Sequence, residues 1–384
     1  MEKRPTILLV CGEPSGDLHA ASLVRALKQQ RPDAVFFGAG GPKLKAQGCE
    51  LVFDLTSIAV VGLFEVLKNL SVFRRVFYNI LKEADRRRPD LAVLIDYPGF
   101  NMALAKELRK RNIPVVYYIS PQVWAWGKER LAAIKRDVAK MLVILPFEKD
   151  FYAKEGIDVS FVGHPAVGSV KPSLSKNAFF AKVGLDNSGF TVSLLPGSRE
   201  KEVKSLLPDM LRACELIISY MPPKSVRFLI LRSTSVPLPV FEKELSRHPG
   251  LPCRIVSGMT YDGIAASDFC LVCSGTATLE TAILGTPMAV LYKVHFLTWL
   301  YVRLAIRIPF IGLVNIVKGR KIMQELIQFD CTPVRIADSV ILTLKTHGEL
   351  ERLRKELQGI RESLGETGAS DRAAAEIIRI LDSR

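Results

Sequence analysis

No apolar run in this 384-residue sequence reaches the roughly 18–20 residues needed to cross a bilayer. The first ten residues enter a strand-like segment directly and lack the layout of a signal peptide, so the chain is expected on the cytoplasmic side. There is no DxD triplet, hence no acidic pair of that kind to hold a cation, and neither a metal site nor a cofactor is assigned. Helix-turn-helix, zinc-finger and RNP1-type motifs are missing too, which leaves a nucleic-acid partner resting on charge alone. The seven cysteines are scattered and odd in number. Cys270 and Cys273 form a CxxC with no second pair, on a strand end, and read as reduced core thiols. No internal repeat is visible.

Acidic residues are the most informative scarcity. From Thr281 to Gln324 there is no Asp or Glu, against six Lys or Arg. From Lys68 to Arg88 seven basic residues face two acidic ones. The whole chain carries 53 basic and 39 acidic residues for a net charge of +14, so phosphate groups or an anionic surface are plausible partners. Mean hydropathy is high, at +0.19. Two stretches, Ile58–Ile80 and His295–Val314, interleave aromatic and aliphatic residues with Lys and Arg. A core-packed helix with a solvated basic face explains the first equally well, but apolar residues beside clustered cations also suit an anionic membrane surface.

What is present is a repeated strand-to-helix pattern. Asp268–Pro287 reads as a short buried strand, a small-residue turn at Cys273–Thr276, and a helix stopped by Gly285 and Pro287. Such a turn aims backbone N–H groups and the positive end of a helix dipole at one sheet edge, which suits a diphosphate. Ser274, Gly275 and Thr276 are the candidate ligands. Glu280 either binds a ribose diol or merely complements the dipole.

Upstream, TILLVC (6–11) is a strand followed by the loop Gly12–Asp17 and an amphipathic helix from Leu18 to Gln29. That loop is GEPSGD rather than GxGxxG and is weak evidence of nucleotide binding by itself. LAVLID (91–96) is a buried parallel strand with Asp96 at its carboxyl end, where open α/β sheets carry their chemistry; Asp96 is a base or a turn-capping carboxylate. Two of the three tryptophans fall in the loop Ser120–Trp126, which favours a cleft or interface. After a linker at Gly168–Lys176 the pattern restarts with Thr191–Leu195 and the turn Pro196–Glu200, where Arg199 could clamp phosphate oxygens. Two charged or amphipathic helices, Glu349–Leu364 and Asp371–Leu381, end the chain. The fold class is therefore α/β, with two successive Rossmann-like domains facing a cleft and C-terminal helices packing back. Expected limits are 1–167, 168–345 and 346–384.

In order along the chain stand GEPSGDLHA (12–20), GAGGPKL (38–44), VVGLFEVL (60–67), LIDYPGFN (94–101), YYISPQVWAW (117–126), LPFEKDFY (145–152), FVGHP (161–165), LLPGSREKEV (194–203), SGTATLE (274–280), NIVKGR (315–320) and QELIQ (324–328). Together these resemble the lipid A disaccharide synthases. Three positions depart from the family pattern: Gly99, Val314, and Met323-Gln324. The resemblance implies an inverting, metal-independent GT-B glycosyltransferase. It would join UDP-2,3-diacylglucosamine to 2,3-diacylglucosamine 1-phosphate (lipid X), releasing UDP and forming a β-1,6-linked disaccharide. It implies an acceptor-binding first domain and a UDP-sugar-binding second domain. Asp96 is then the expected base, with Asp17 or His19 as alternatives. Arg199, Asn315 and the N–H groups of Gly275 and Thr276 would take the diphosphate, Glu280 the ribose, and Ser15, Gly16 and Asp17 would line the acceptor side. Gln328 joins the substrate-binding set. The acyl chains give the two basic-apolar stretches a purpose: peripheral association with the inner membrane of a Gram-negative cell. A homodimer is among the arrangements it allows. The rival readings are another GT-B enzyme, such as a lipid II-forming GlcNAc transferase or a UDP-GlcNAc 2-epimerase, and a non-catalytic protein binding nucleic acid or an anionic surface.

Overall fold

A computed structural model of the chain describes residues 4–58, 70–125, 127–222, 225–294, 299 and 309–383. Trp126 and the greater part of the two basic-apolar stretches, 59–69 and 295–298 with 300–308, lie outside the described residues. The chain forms two compact units, Met1–Pro165 with Leu364–Arg384, and Ala166–Ser363.

Among the described residues the first unit holds seven parallel strands: β1 (Thr6–Cys11), β2 (Val35–Gly40), β3 (Glu50–Asp54), β4 (Leu91–Ile95), β5 (Val115–Tyr118), β6 (Lys140–Val143) and β7 (Val159–Phe161). Their order is β3-β2-β1-β4-β5-β6-β7. The central strands are continuous apolar runs, as burial on both faces requires: Ile7–Cys11 and Leu91–Ile95 are fully enclosed. The chain leaves β1 toward one edge and returns through β4 toward the other, so β1 and β4 are neighbours, with Cys11 opposite Ile95. That reversal is the switch point at which open α/β sheets bind ligands.

The last helix, Ala369–Asp382, packs on this unit. Its Ala373, Ala374 and Ile377 share a buried cluster with Ile7, Leu9, Val24 and Leu27. Arg372 fixes its start by donating to the carbonyls of Val162, Glu366 and Thr367 at 2.7–2.8 Å.

The second unit repeats the plan with β8 (Phe190–Leu195), β9 (Val226–Arg232), β10 (Cys253–Ser257), β11 (Phe269–Cys273), β12 (Met288–Tyr292) and β13 (Gln324–Ile327), in the order β10-β9-β8-β11-β12-β13. Its switch point lies between β8 and β11, where Leu195 pairs with Val272. The helix Glu349–Ser363 stays with this unit: Leu353, Leu357 and Ile360 are buried, and Glu356 pairs with Arg320 and Lys318. Only the chain from Leu364 onward joins the first unit, whereas the sequence places both terminal helices in one segment.

One helix begins earlier than its periodicity suggests: expected from Leu18, it starts at Pro14, and the helix after β4 likewise opens on a proline, Pro98. Both prolines occupy the first turn, where the missing N–H costs nothing and the fixed φ suits the helix. Ser15, Gly16 and Asp17 are thereby first-turn residues, not loop residues. All seven cysteines are free, and burial raises the thiol pKa of each, to about 12 for Cys273. No helix among the described residues is long and apolar enough to cross a membrane.

Candidate functional site

In the second unit the β8 and β11 strand ends open onto a cavity of about 760 Å³. It is lined by Gly197, Arg199, Tyr261, Ser274, Gly275, Thr276 and Glu280, among others. The sequence-predicted Arg199, Ser274–Thr276 and Glu280 thus fall in one place. Gly275 has φ 156° and ψ −162°, a region that essentially only glycine occupies, and a Cβ there would meet nothing within 4 Å. The turn is therefore open above the N-terminus of the helix Thr276–Ile283, whose first N–H groups have no intrahelical partner. Ser274 is anchored, its N–H on Leu291 O and its hydroxyl on Ile311 O.

Arg199 caps the helix Glu200–Tyr220. One of its guanidinium N–H groups meets Glu202 Oε1 at 2.9 Å, while Glu202 Oε2 accepts the N–H groups of Ser198 and Arg199. Arg199 itself lines the cavity. Glu280 is half-buried and accepts a 3.2 Å hydrogen bond from Tyr261 Oη; burial raises its pKa and the tyrosine's bond lowers it. Tyr261 was not foreseen. Nothing in its surroundings, TYDG, sets it apart from a core aromatic until β10 is placed beside β9.

Asn315 and Gln328 do not line this cavity. Asn315 is fully buried and every polar atom of its amide is used. Nδ2 donates to Met323 O and Glu325 Oε1 at 2.9 and 2.8 Å, and Oδ1 accepts from the N–H groups of Ile322 and Met323. Gln328 is spent on the main chain of Val294 in both directions. Here both side chains bind groups of the chain itself.

In the first unit the β1–β4 switch point gathers Gly12–Asp17 and Asp96. Asp96 and Tyr97 both have left-handed backbone, φ 49° and 52°, a conformation costing about 1–3 kcal/mol at each non-glycine residue. Three groups hold it. The Asp96 carbonyl accepts from Tyr117 Oη at 2.6 Å and Asn101 Nδ2 at 2.7 Å, and its N–H donates to Tyr118 O. The Tyr97 ring lies so close over Gly12 that a Cβ there would stand 2.4 Å from it. Strain of this kind, over-determined by its surroundings, aims the Asp96 carboxylate off the strand end. Burial, then the charge of Glu13, raises its pKa from 3.8 to about 6, and the Tyr97 N–H pulls the other way.

The two alternative bases are placed differently. Asp17 is buried and accepts the N–H groups of Gly41, Lys43 and Leu44 at 2.9–3.0 Å, capping the helix Pro42–Ala46. Three main-chain bonds hold it as an anchor. His19 is half-buried and its pKa is lowered to about 4, by burial first and by Lys43 second, which leaves it neutral and a weak base at pH 7. Ser15 is exposed in the first turn beside buried Gly16.

A family profile described as lipid-A-disaccharide synthetase matches residues 7–378. The chain is 44% identical to the lipid-A-disaccharide synthase of Syntrophus aciditrophicus over 98% of this chain and 97% of that one. It is 40% identical to that of Myxococcus xanthus over 99% of both. Among solved structures, a putative UDP-N-acetylglucosamine 2-epimerase from Listeria monocytogenes superposes with a TM-score of 0.68 at 12% identity, covering 100% of this chain and 98% of that one. A kitacinnamycin glycotransferase gives 0.63 at 16% identity, covering 98% and 100%. At such identities these two speak for the fold alone, which is GT-B. With a profile and relatives of this extent and two βα sheets of this topology, the chain belongs to the lipid-A-disaccharide synthase family of hexosyltransferases.

Proposed function

We propose that, in the disaccharide-forming reaction of this family, the second-unit cavity holds UDP-2,3-diacylglucosamine by its nucleotide and Asp96 is the base for lipid X. The 6-hydroxyl oxygen of the acceptor attacks the anomeric carbon of the donor glucosamine. Its proton passes to the Asp96 carboxylate as the bond from that carbon to the UDP oxygen breaks, giving the inverted, β-1,6-linked product. The leaving diphosphate gains charge, which Arg199 and the N–H groups of Gly275 and Thr276 would meet. Glu280, steadied by Tyr261, would accept from the ribose hydroxyls. Ser15 and Gly16 would border the acceptor.

The observation that carries this reading is Asp96 itself: a half-buried carboxylate on a strained strand end, tuned to about 6, near the pH at which it must work. The test is UDP release with and without lipid X, in EDTA, for the wild type and Asp96→Asn. Acceptor-dependent release that persists in EDTA and collapses in the variant supports it. Undiminished release by the variant refutes it. Turnover of plain UDP-GlcNAc, but not of the acylated donor, would refute the substrate assignment.

Peripheral binding to the inner membrane belongs to the same proposal. On the helix Leu70–Arg87, Phe73, Val76, Ile80 and Ala84 face the core while Arg74, Arg75, Tyr78 and Lys82 are exposed. Tyr78 is 56% accessible, with Arg74 over its ring. Each well-placed cation adds about 1 kcal/mol of attraction to anionic lipid. Co-sedimentation with anionic vesicles that is lost in an Arg74→Glu/Arg75→Glu/Lys82→Glu variant is expected; recovery of all wild-type protein in the supernatant at low salt would overturn it.

A further inference from the structure

Glu148 is one of the few carboxylates sealed in the first unit, at 2% exposure, and the chemistry above does not use it. It sits in the first turn of the helix Pro146–Lys154, at the carboxyl end of β6. One oxygen does what a capping glutamate does anywhere, accepting the Leu145 N–H at 3.1 Å. An exposed glutamate would serve for that. The other oxygen accepts two bonds from a different segment, Ser120 Oγ at 2.6 Å and Trp124 Nε1 at 3.0 Å. The same helix grips that segment twice more. Tyr152 Oη donates to Pro121 O at 3.0 Å, and the Phe147 ring meets the Trp124 ring edge-on at 5.1 Å.

The loop so held leaves β5 through Ile119, a β-branched residue at φ 64°, which is a rare conformation. Beside it stands the Asp96 strand end: Asp96 N–H donates to Tyr118 O, and Tyr117 Oη to Asp96 O. A buried carboxylate thus ties a partly exposed indole to a strained strand end one strand from Asp96. Burying a charge is costly unless fixed donors meet it, and here the extra donors come from the loop, not from the helix.

We propose that Glu148 is a positioning residue for the transfer reaction, holding Ser120–Ala125 and the Trp124 indole as the wall against which the acceptor sugar is set at Asp96. This rests on the assignment of Asp96 as the base on the acceptor side. The test is steady-state kinetics on the full chain, with KM measured separately for each substrate. The variants are Glu148→Gln, Trp124→Phe, Glu148→Gln/Trp124→Phe and Asp96→Asn, with thermal melts alongside. Glu148→Gln should raise the KM for lipid X by about 10-fold or more and leave that for the UDP-sugar within about twofold. Trp124→Phe, which keeps an aromatic ring but loses the N–H, should do less in the same direction. The double variant should fall short of the product of the singles, because they share one bond. Equal rises for both substrates, losses that merely follow the folded fraction, or multiplicative singles would overturn the proposal. Collapse in Asp96→Asn with an unchanged lipid X KM in Glu148→Gln removes this inference alone, whereas turnover by Asp96→Asn removes the reading beneath it.

Discussion

Replacing Asp96 with asparagine should make the protein at once inactive and more stable. A carboxyl held at about 6 instead of the ordinary 3.8 keeps its proton, between those values, in the folded chain but not in the unfolded one. Stability therefore falls as pH rises through that window, and above it the ionised Asp96 costs about 3 kcal/mol against an unperturbed carboxyl. Asparagine removes the charge and tolerates the left-handed backbone at this position at least as well. Allowing for desolvation of the amide, the expected gain at pH 7.5 is roughly 1–3 kcal/mol, or about 2–10 °C in the melting of the first unit. The gain should shrink toward zero below about pH 4, where the native aspartate is protonated in both states. Turnover should drop by about 10²–10⁴, the usual worth of a general base. The wild-type kcat/KM should fall along an acid limb near pH 6, and Glu13→Gln should move that limb downward by removing the charge that helps to raise it. Calorimetry across pH together with a pH–rate profile decides the matter. An acid limb near 4 would point to His19 instead, since that is where its imidazole lies. An Asp96→Asn protein that melts below wild type at pH 7.5 would show that the carboxylate is stabilised where it sits, and would refute the argument.

Three further outcomes follow from the same geometry. Arg199→Ala should raise the KM for the UDP-sugar by about 10–100-fold with little change for lipid X, the loss of a charge-assisted contact to phosphate; equal changes for both substrates would argue against a diphosphate role. Asn315→Ala orphans the buried N–H groups of Ile322 and Met323 and should cost roughly 3–5 kcal/mol in urea unfolding of the second unit. If instead the variant unfolds like wild type but loses affinity for UDP, Asn315 touches the diphosphate after all. Gly12→Ala drives a methyl into the Tyr97 ring and should lower kcat while costing about 1–3 kcal/mol, measured by turnover and thermal melt; an unchanged kcat would mean that Tyr97 does not hold Asp96.

Legibility in the sequence follows burial. Strands enclosed on both faces announce themselves as apolar runs, and LAVLI and FCLVC fall within a residue of where the pattern puts them. Glu50–Asp54, Val159–Phe161 and Gln324–Ile327, which show no such run, are all sheet edges. An edge strand has one neighbour and a partly open face, so it tolerates Glu50, Asp54 or Gln324 and loses the periodicity that would reveal it. Turn chemistry was legible where it needs a particular residue: Gly275 stands where only glycine fits, and the acids and cations placed around it by sequence do line one cavity. What a polar side chain bonds to is harder to read, because sequence offers residue type but not occupancy. Asp17, Asn315 and Gln328 are polar residues in motif-like settings, yet their hydrogen-bonding capacity is turned on the chain's own backbone. Glu148 is the reverse case. In LPFEKDFY it looks like an ordinary capping glutamate after a proline, and only the fold reveals that its second oxygen reaches 28 residues back to Ser120. What separates a ligand from a strut is whether a polar atom is left over once the fold is complete, and that is what the Asp96 and Arg199 variants put to the test.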